Sequence, residues 1–285
     1  MANLLALKRR IRAAGNVSKT TRAMQMIATS KLKRTQNATI AGRPYLEKLT
    51  AISQNLSRKL EGKYVHAYMK KPEGENKTLV LVFAPDKGLC GGLITNLIRE
   101  IITYDSQKND NVYLTVGKKA EFPLSNLQKK IVASFNFGTT LPTFDIVLPI
   151  VKIIDEYFLS GKANCVKIIY TSFLSVFSQK PNVTTLLPID FSGETGKTSM
   201  HTLFEPEPQK LLPPLLRHFL EMTVYQVLLE SFTSEQGARM VAMQNATDNA
   251  KEIVEELRLE YNKGRQEKIT NEILDIGGAS FIYAD

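Results

Sequence analysis

The chain has 285 residues, 43% of them hydrophobic, and a net charge of +9, enough for one ordinary domain plus an extended element or for two small domains. No apolar run reaches the roughly 18 residues that a bilayer-spanning helix needs, and the opening MANLLALKRRIRAAG places its charges after its apolar residues, which argues against a secretory signal. Cys90 and Cys165 stand far apart and outside any CxxC pair, so no metal site or disulfide framework is expected and the composition reads as reducing and cytoplasmic-side.

In chain order, the first element is a long helix. Leu4, Leu7, Ile11, Ala14, Val17, Thr21, Met24, Ala28, Leu32 and Thr35 recur three or four residues apart, the spacing of one helical stripe, and Pro44 is the first proline. Ten basic residues lie between Met1 and Arg43, and the first acidic residue of the chain is Glu47.

The middle alternates. TLVLVFA (Thr78 to Ala84) is apolar and β-branched and ends at Pro85, as a buried parallel strand does. The glycine-rich turn Asp86 to Gly92 leads into a helical pattern of Leu93, Leu97, Ile98, Ile101 and Ile102. VYLTV (Val112 to Val116) reads as a second strand followed by a short helix from about Lys118, Phe144 to Leu159 as a helix, and CVKIIYTSF (Cys165 to Phe173) as a further strand. Strand–helix alternation predicts a small α/β domain over about 75–195 with a mainly parallel sheet. From about Asn182 to Pro208 the polar, proline-bearing sequence reads as a linker.

The last element runs from about Gln209 to Gly277. Met243, Ala246, Ala250, Ile253, Leu257, Tyr261 and Gly264 keep to one stripe, and no proline follows Pro214. At 1.5 Å per residue this is a rod about 100 Å long, too long to be buried in the chain's own core. From Glu230 onward eleven acidic residues face six basic ones, the reverse of the N-terminal bias. Opposite charge and small stripe residues on both segments predict an antiparallel coiled coil of the chain ends (1–60 with 209–285), the α/β domain being inserted between them.

Three constellations invite a catalytic reading. GLCGG (Gly88, Leu89, Cys90, Gly91, Gly92) could offer N–H groups to a phosphate, but it is neither GxGxxG nor a P-loop, and glycines also serve a tight turn. GETGKTS (Gly193 to Ser199) imitates a P-loop, yet its first required glycine would fall on Phe191 and no amphipathic helix follows. His66, His201 and His218 have no ligand-like spacing. No catalytic residue, cofactor or metal site emerges. The cationic N-terminal helix suits nucleic acid or an acidic protein surface; it lacks interleaved aromatics and any reader motif.

The whole chain resembles the γ subunit of the rotary F-type ATP synthase, of bacterial type. The resemblance rests on GNVSKTTRAMQMIATSKLKR (Gly15 to Arg34), APDKGLCGG (Ala84 to Gly92), SEQGARMVAMQNATDNA (Ser234 to Ala250) and YNKGRQEKITNEI (Tyr261 to Ile273), in the family's order. It implies a coiled-coil shaft with a Rossmann-like foot, non-catalytic itself, turning inside a ring of three α and three β subunits. The foot would rest on the membrane c-ring and bind the ε subunit, at the cytoplasmic face of the cell inner membrane and peripheral to it. The resemblance carries over Met24, Arg239, Gln266, Thr270 and Glu272 as rotor–stator contacts, and Phe204 and Glu205 as the foot contact with c-ring and ε. There is no cysteine-bearing insert of the chloroplast kind, so no thiol switch is implied. The rival readings are a basic coiled-coil nucleic-acid-binding protein and a P-loop-like NTPase. Two departures from the family stand out. One residue is missing between Asp275 and the pair Gly277–Gly278, which predicts that the regular helix ends near Ile276. Gly237 replaces the usual alanine at a cost of about 0.5–1 kcal/mol to the helix.

Overall fold

The computed structural model describes residues 4–60, 64–74, 76–106, 110–191 and 204–282, the side chains of 275–282 aside. Ten principal elements follow in order: α1 (Leu4–Leu60), β1 (Thr78–Phe83), α2 (Leu93–Ser106), β2 (Asn111–Val116), α3 (Glu121–Asn126), β3 (Lys130–Phe135), α4 (Val147–Leu159), β4 (Cys165–Phe173), β5 (Gln179–Leu187) and α5 (Pro208–Ile282). They divide into two compact units: Met1–Ile27 with Met240–Asp285, and Ala28–Arg239.

The larger unit holds a five-stranded sheet in the order β3-β2-β1-β4-β5, parallel except for β5, which pairs antiparallel with β4. β1 is central and wholly buried, and its alternation divides the core. Leu79, Leu81 and Phe83 meet α4, the end of α1 and the first third of α5 (Leu212, Leu216, Leu220, Val224, Phe232). Val80, Val82 and Ala84 meet Leu97, Ile101 and Tyr104 of α2 and Leu124 of α3. A strand covered on both faces has to be apolar throughout, which is why TLVLVFA is legible as a strand.

Two strands escape that test. β3 is an edge strand with a mostly half-exposed pattern, so its apolar run Ile131 to Ala133 carries no burial signature. β5 overturns the expected linker from Asn182: QKPNVTTLL pairs along β4 from Gln179 to Leu187. Its proline, Pro181, lies on an edge strand, where a missing N–H can face outward.

In this unit α1 and α5 run side by side. Thr39 and Thr233 share a hydroxyl contact at 3.2 Å, and the Gln226 amide donates to the Thr39 carbonyl at 3.1 Å. Pro44 falls inside α1 on its exposed side. The helix continues past it because Leu49, Ser53, Leu56 and Leu60 keep a buried stripe on the other side.

In the smaller unit the pairing is antiparallel. The Thr21 and Thr247 hydroxyls are 2.7 Å apart, and Gly264 lies beneath Leu4, where an added Cβ would touch Leu4 Cδ2 at 3.4 Å. Between these points the two segments advance equally in opposite directions. The inner stripe differs from the expected one by a residue in places. Ser18 is half-buried while Val17 is exposed, Gln25 is half-buried while Met24 is exposed, and Val254 stands inside in place of Ile253. Where Ser18 and Gln25 turn inward the larger Val17 and Met24 face outward, while Leu7, Met243 and Leu257 stay buried. The expected helix end near Ile276 is also corrected: α5 continues through Gly277–Gly278 to Ile282. Each glycine lowers helix propensity by about 1 kcal/mol, but no proline follows to break the hydrogen-bond series.

Gly117, at the end of β2, has φ +107°, and a Cβ there would run into the carbonyl of Ala84 at the end of β1. Gly117→Ala should therefore destabilise the chain by about 2–4 kcal/mol, read as a lowered midpoint in urea unfolding.

Candidate functional site: the carboxyl edge of the sheet

In an open α/β sheet the ligand crevice lies beyond the carboxyl ends of the strands, where the strand order reverses. Here that point is between β1 and β4, and α5 fills it. Every residue of α5 from Ser231 to Ala238 is buried. Phe232 stacks on Phe137, which follows β3, with ring centroids 5.7 Å apart. Ser234 Oγ donates to the Thr171 carbonyl at 2.9 Å. Glu230 Oε1 accepts from Ser172 Oγ at 3.0 Å and from the Phe173 N–H at 3.2 Å. Gly237 gives the explanation for its departure from alanine: a Cβ would come within 3.2 Å of Phe173 Cε2 and 3.8 Å of Leu32 Cδ1. The helix passes close to the β4–β5 hairpin there, and the missing methyl offsets the lost propensity.

The turn APDKGLCGG is built by two charged residues. Asp86 accepts from three backbone N–H groups, of Lys118 at 3.0 Å, Phe137 at 3.2 Å and Gly138 at 2.7 Å. One carboxylate thereby ties together the loops that follow β1, β2 and β3. Leu89 and Gly91 take positive φ, 63° and 59°. Leu89 points outward, 61% exposed, while Cys90 is buried against Leu93 and Ala238. Burial pushes the Cys90 thiol up from its ordinary value, with Arg239 opposing.

The second charged residue is Arg239. Its Nη2 donates to the carbonyls of Lys87 at 3.2 Å and Gly88 at 3.1 Å, and its Nη1 lies 2.6 Å from Glu235 Oε1, one helical turn back. The two side chains are only 16% and 6% exposed. Burial raises the Glu235 carboxyl above its ordinary value, with Arg239 as the main opposing influence. The turn thus aims carbonyl oxygens at a cation. A phosphate cradle needs N–H groups instead, so the geometry does not make the turn one.

The remaining residues of interest fall as follows. Gln266, Thr270 and Glu272 are exposed on α5; Lys263, Gln266, Glu267, Thr270 and Asn271 line a shallow groove, Thr270 Oγ1 donates to the Gln266 carbonyl, and Glu272 pairs with Lys268 at 3.5 Å. Met24 is 38% exposed on α1. These belong to the smaller unit; Arg239, the turn, Phe204 and Glu205 belong to the larger. Phe204 packs against the main core under the Lys59 ammonium, which sits 5.1 Å from its ring centroid, and Glu205 is exposed. GETGKTS and His201 lie outside the described residues. His66 Nδ1 accepts from the Tyr68 N–H, and His218 contacts Tyr45 and Glu221. Among the described residues no group of three metal-ligating side chains occurs, and no helix is long and apolar enough to cross a membrane. Glu235 and Asp86 were not singled out in the sequence. The four-residue spacing of Glu235 and Arg239 is the one signal that points to their pairing.

Comparison with known proteins matches residues 3–280 to a family model described as ATP synthase. An ATP synthase gamma chain of Dehalococcoides mccartyi is 43% identical over 284 residues, covering 98% of this chain and 99% of that one. One from Roseiflexus castenholzii is 33% identical, with both chains fully covered. Among solved structures, the central stalk/c-ring of the Tetrahymena thermophila mitochondrial ATP synthase superposes with a TM-score of 0.60 at 23% identity, over 80% of this chain and 99% of that one. The OSCP/F1/c-ring of the Euglena gracilis enzyme does so with a TM-score of 0.58 at 18% identity, over 94% of each. At these identities the structural likeness speaks for the fold.

The buried Glu235 carboxyl has a pH consequence. Its value in the folded chain lies above that in the unfolded chain, so the fold binds more protons between the two and loses stability as pH rises through that window. Glu235→Gln carries no such dependence. The unfolding free energy of the Gln variant should gain on the wild type as pH rises from the carboxyl's ordinary 4.5 upward, as urea midpoints across that range would measure.

Proposed function

We propose, from the premise that this chain belongs to the ATP synthase γ-chain family, that it is the central rotor shaft coupling proton flow through a membrane c-ring to ATP synthesis and hydrolysis on a surrounding α3β3 ring. The observation that carries the reading is the surface of the paired helices. Leu5, Val17, Met26, Ile27, Leu259, Ile269, Ile273 and Leu274 are each about half exposed or more, and exposed apolar surface of this kind marks an interaction site where it is contiguous. An enclosing ring would cover it. The cations of α1 suit a protein surface of acidic character, and nothing in the fold or among the relatives favours nucleic acid.

In this reading the chain is a non-catalytic subunit. Each angle of the asymmetric shaft favours one conformer of a β subunit over the others, a population shift driven by differential contact. Met24, Gln266, Thr270 and Glu272 would make the contacts along the helix pair. Arg239 would act at the level of the turn Gly88–Gly92. Phe204 and Glu205 would face the c-ring and the ε subunit, with three copies each of α and β in the ring. The chain would work at the cytoplasmic face of the bacterial inner membrane, held there by its partners.

A tagged chain should bring down α, β, ε and c subunits together; recovery of nucleic acid without them would overturn the reading. In vesicles reconstituted with the assembled complex, Arg239→Ala should reduce ATP-driven proton pumping severalfold. The purified chain, whose ligand crevice is filled by α5, should give no heat of magnesium-ATP binding in isothermal titration.

A further inference from the structure

We propose that Glu235 is a positioning residue that holds the Arg239 guanidinium against the carbonyls of Lys87 and Gly88, and so locks the turn between β1 and α2 onto α5. The lock stands on the geometry of the chain itself and is independent of the rotor reading above.

The arrangement makes poor sense as a device for stability. Glu235 is a buried carboxylate, and its Oε2 finds no hydrogen-bond partner among the described residues. A buried ion pair with one oxygen unsatisfied is seldom better than an apolar pair of the same size. It makes sense as an orienting device. The guanidinium is planar, with its donors in a fixed fork. Once Nη1 is held by Glu235 at 2.6 Å, Nη2 is aimed at the two carbonyls. A cation placed there alone would also be largely out of water, and the carboxylate neutralises it.

The groups around Glu235 leave Arg239 as its direct partner. On its own helix that is Arg239; from β1's turn, Asp86 acts at longer range and is already engaged with three N–H groups; from α1, Lys31 acts at longer range and donates to the Thr139 carbonyl. Asp86 thus ties the start of the turn to the loops after β2 and β3, and Glu235 with Arg239 ties its next residues to α5. Between and beyond these two anchors the exposed Lys87 and Leu89 stand on a rigid base, and Cys90 is sealed beneath.

Cys90 makes the lock measurable, since a sealed thiol reacts only when the turn opens. Cys165, at the start of β4 and half exposed, reports on the rest of the sheet in the same molecule. Maleimide labelling of the full-length chain, with each cysteine followed on its own peptide, should show Cys90 reacting about tenfold faster in Glu235→Gln, the effect of losing one charge-assisted hydrogen bond. Cys165 should be unchanged. In an Arg239→Ala background the added Glu235→Gln should give no further increase, because Glu235 acts through Arg239. Should the Gln variant fold poorly, Glu235→Asp keeps the charge but falls short of Nη1, and a smaller, Cys90-only acceleration is expected. Unchanged Cys90 reactivity, equal acceleration in both backgrounds, or parallel acceleration of both cysteines would each overturn the lock. Failure of the wild-type chain to co-purify with α and β would instead overturn the rotor reading and leave the labelling result intact.

Discussion

A helix segment buried on all sides, and polar for most of its length, sets the terms for the larger unit. From Ser231 to Ala238 α5 carries Ser231, Thr233, Ser234, Glu235 and Gln236, all buried. A helix can be enclosed in that way only if its polar side chains find partners. Thr233 donates back to the Leu229 carbonyl, Ser234 reaches the end of β4, and Glu235 takes the Arg239 guanidinium. The contacts that leave the helix, from Glu230 and Ser234 to the end of β4, from Thr233 to Thr39 of α1 and from Arg239 to the turn after β1, give the segment one rotation about its axis and one depth against the sheet. The positions of the turn after β1 and of the β4–β5 hairpin follow from it.

The same packing turns a ligand-binding architecture into a structural one. The parallel strands end where doubly wound folds bind nucleotides, and that place is taken by Phe232 against Phe137 and by Gly237 against Phe173. The glycine-rich turn keeps the look of a phosphate loop in sequence, but its carbonyls are turned toward Arg239. What the crevice of a Rossmann-like fold offers to a cofactor is here offered to the chain's own helix. For a subunit that transmits force, rigid attachment between sheet and helix is the useful outcome.

The smaller unit solves a different problem. Its two segments are held by small and hydroxyl-bearing residues inside, with Thr21 against Thr247 and Gly264 beneath Leu4. Close approach of two backbones stiffens the pair at these points, and Leu7, Met243 and Leu257 are buried along the rest of the stripe. Other large apolar side chains face outward, Met24, Met26 and Ile27 among them, where an enclosing ring of subunits can use them.

Much of this was legible from sequence, for identifiable reasons. Periodicity over long stretches determined both helices, because a stripe repeated many times outweighs local exceptions such as Pro44. Full burial determined β1 and β2, and the buried run Ile168–Thr171 determined β4, since mainly apolar runs fit there. The opposite charge of the two chain ends, and the blocks that resemble a known family, determined that the ends pair and what the chain belongs to. The tertiary structure alone decided the rest. β3 and β5 are edge strands, half solvated, and their sequences carry no burial signature. Whether Val17 or Ser18, Met24 or Gln25, faces the partner helix depends on how closely two backbones approach, and a stripe read from one helix does not contain that distance. Asp86, Glu235 and Gly237 became intelligible only when residues far apart in sequence met, because a single carboxylate or a missing methyl has meaning through what it touches.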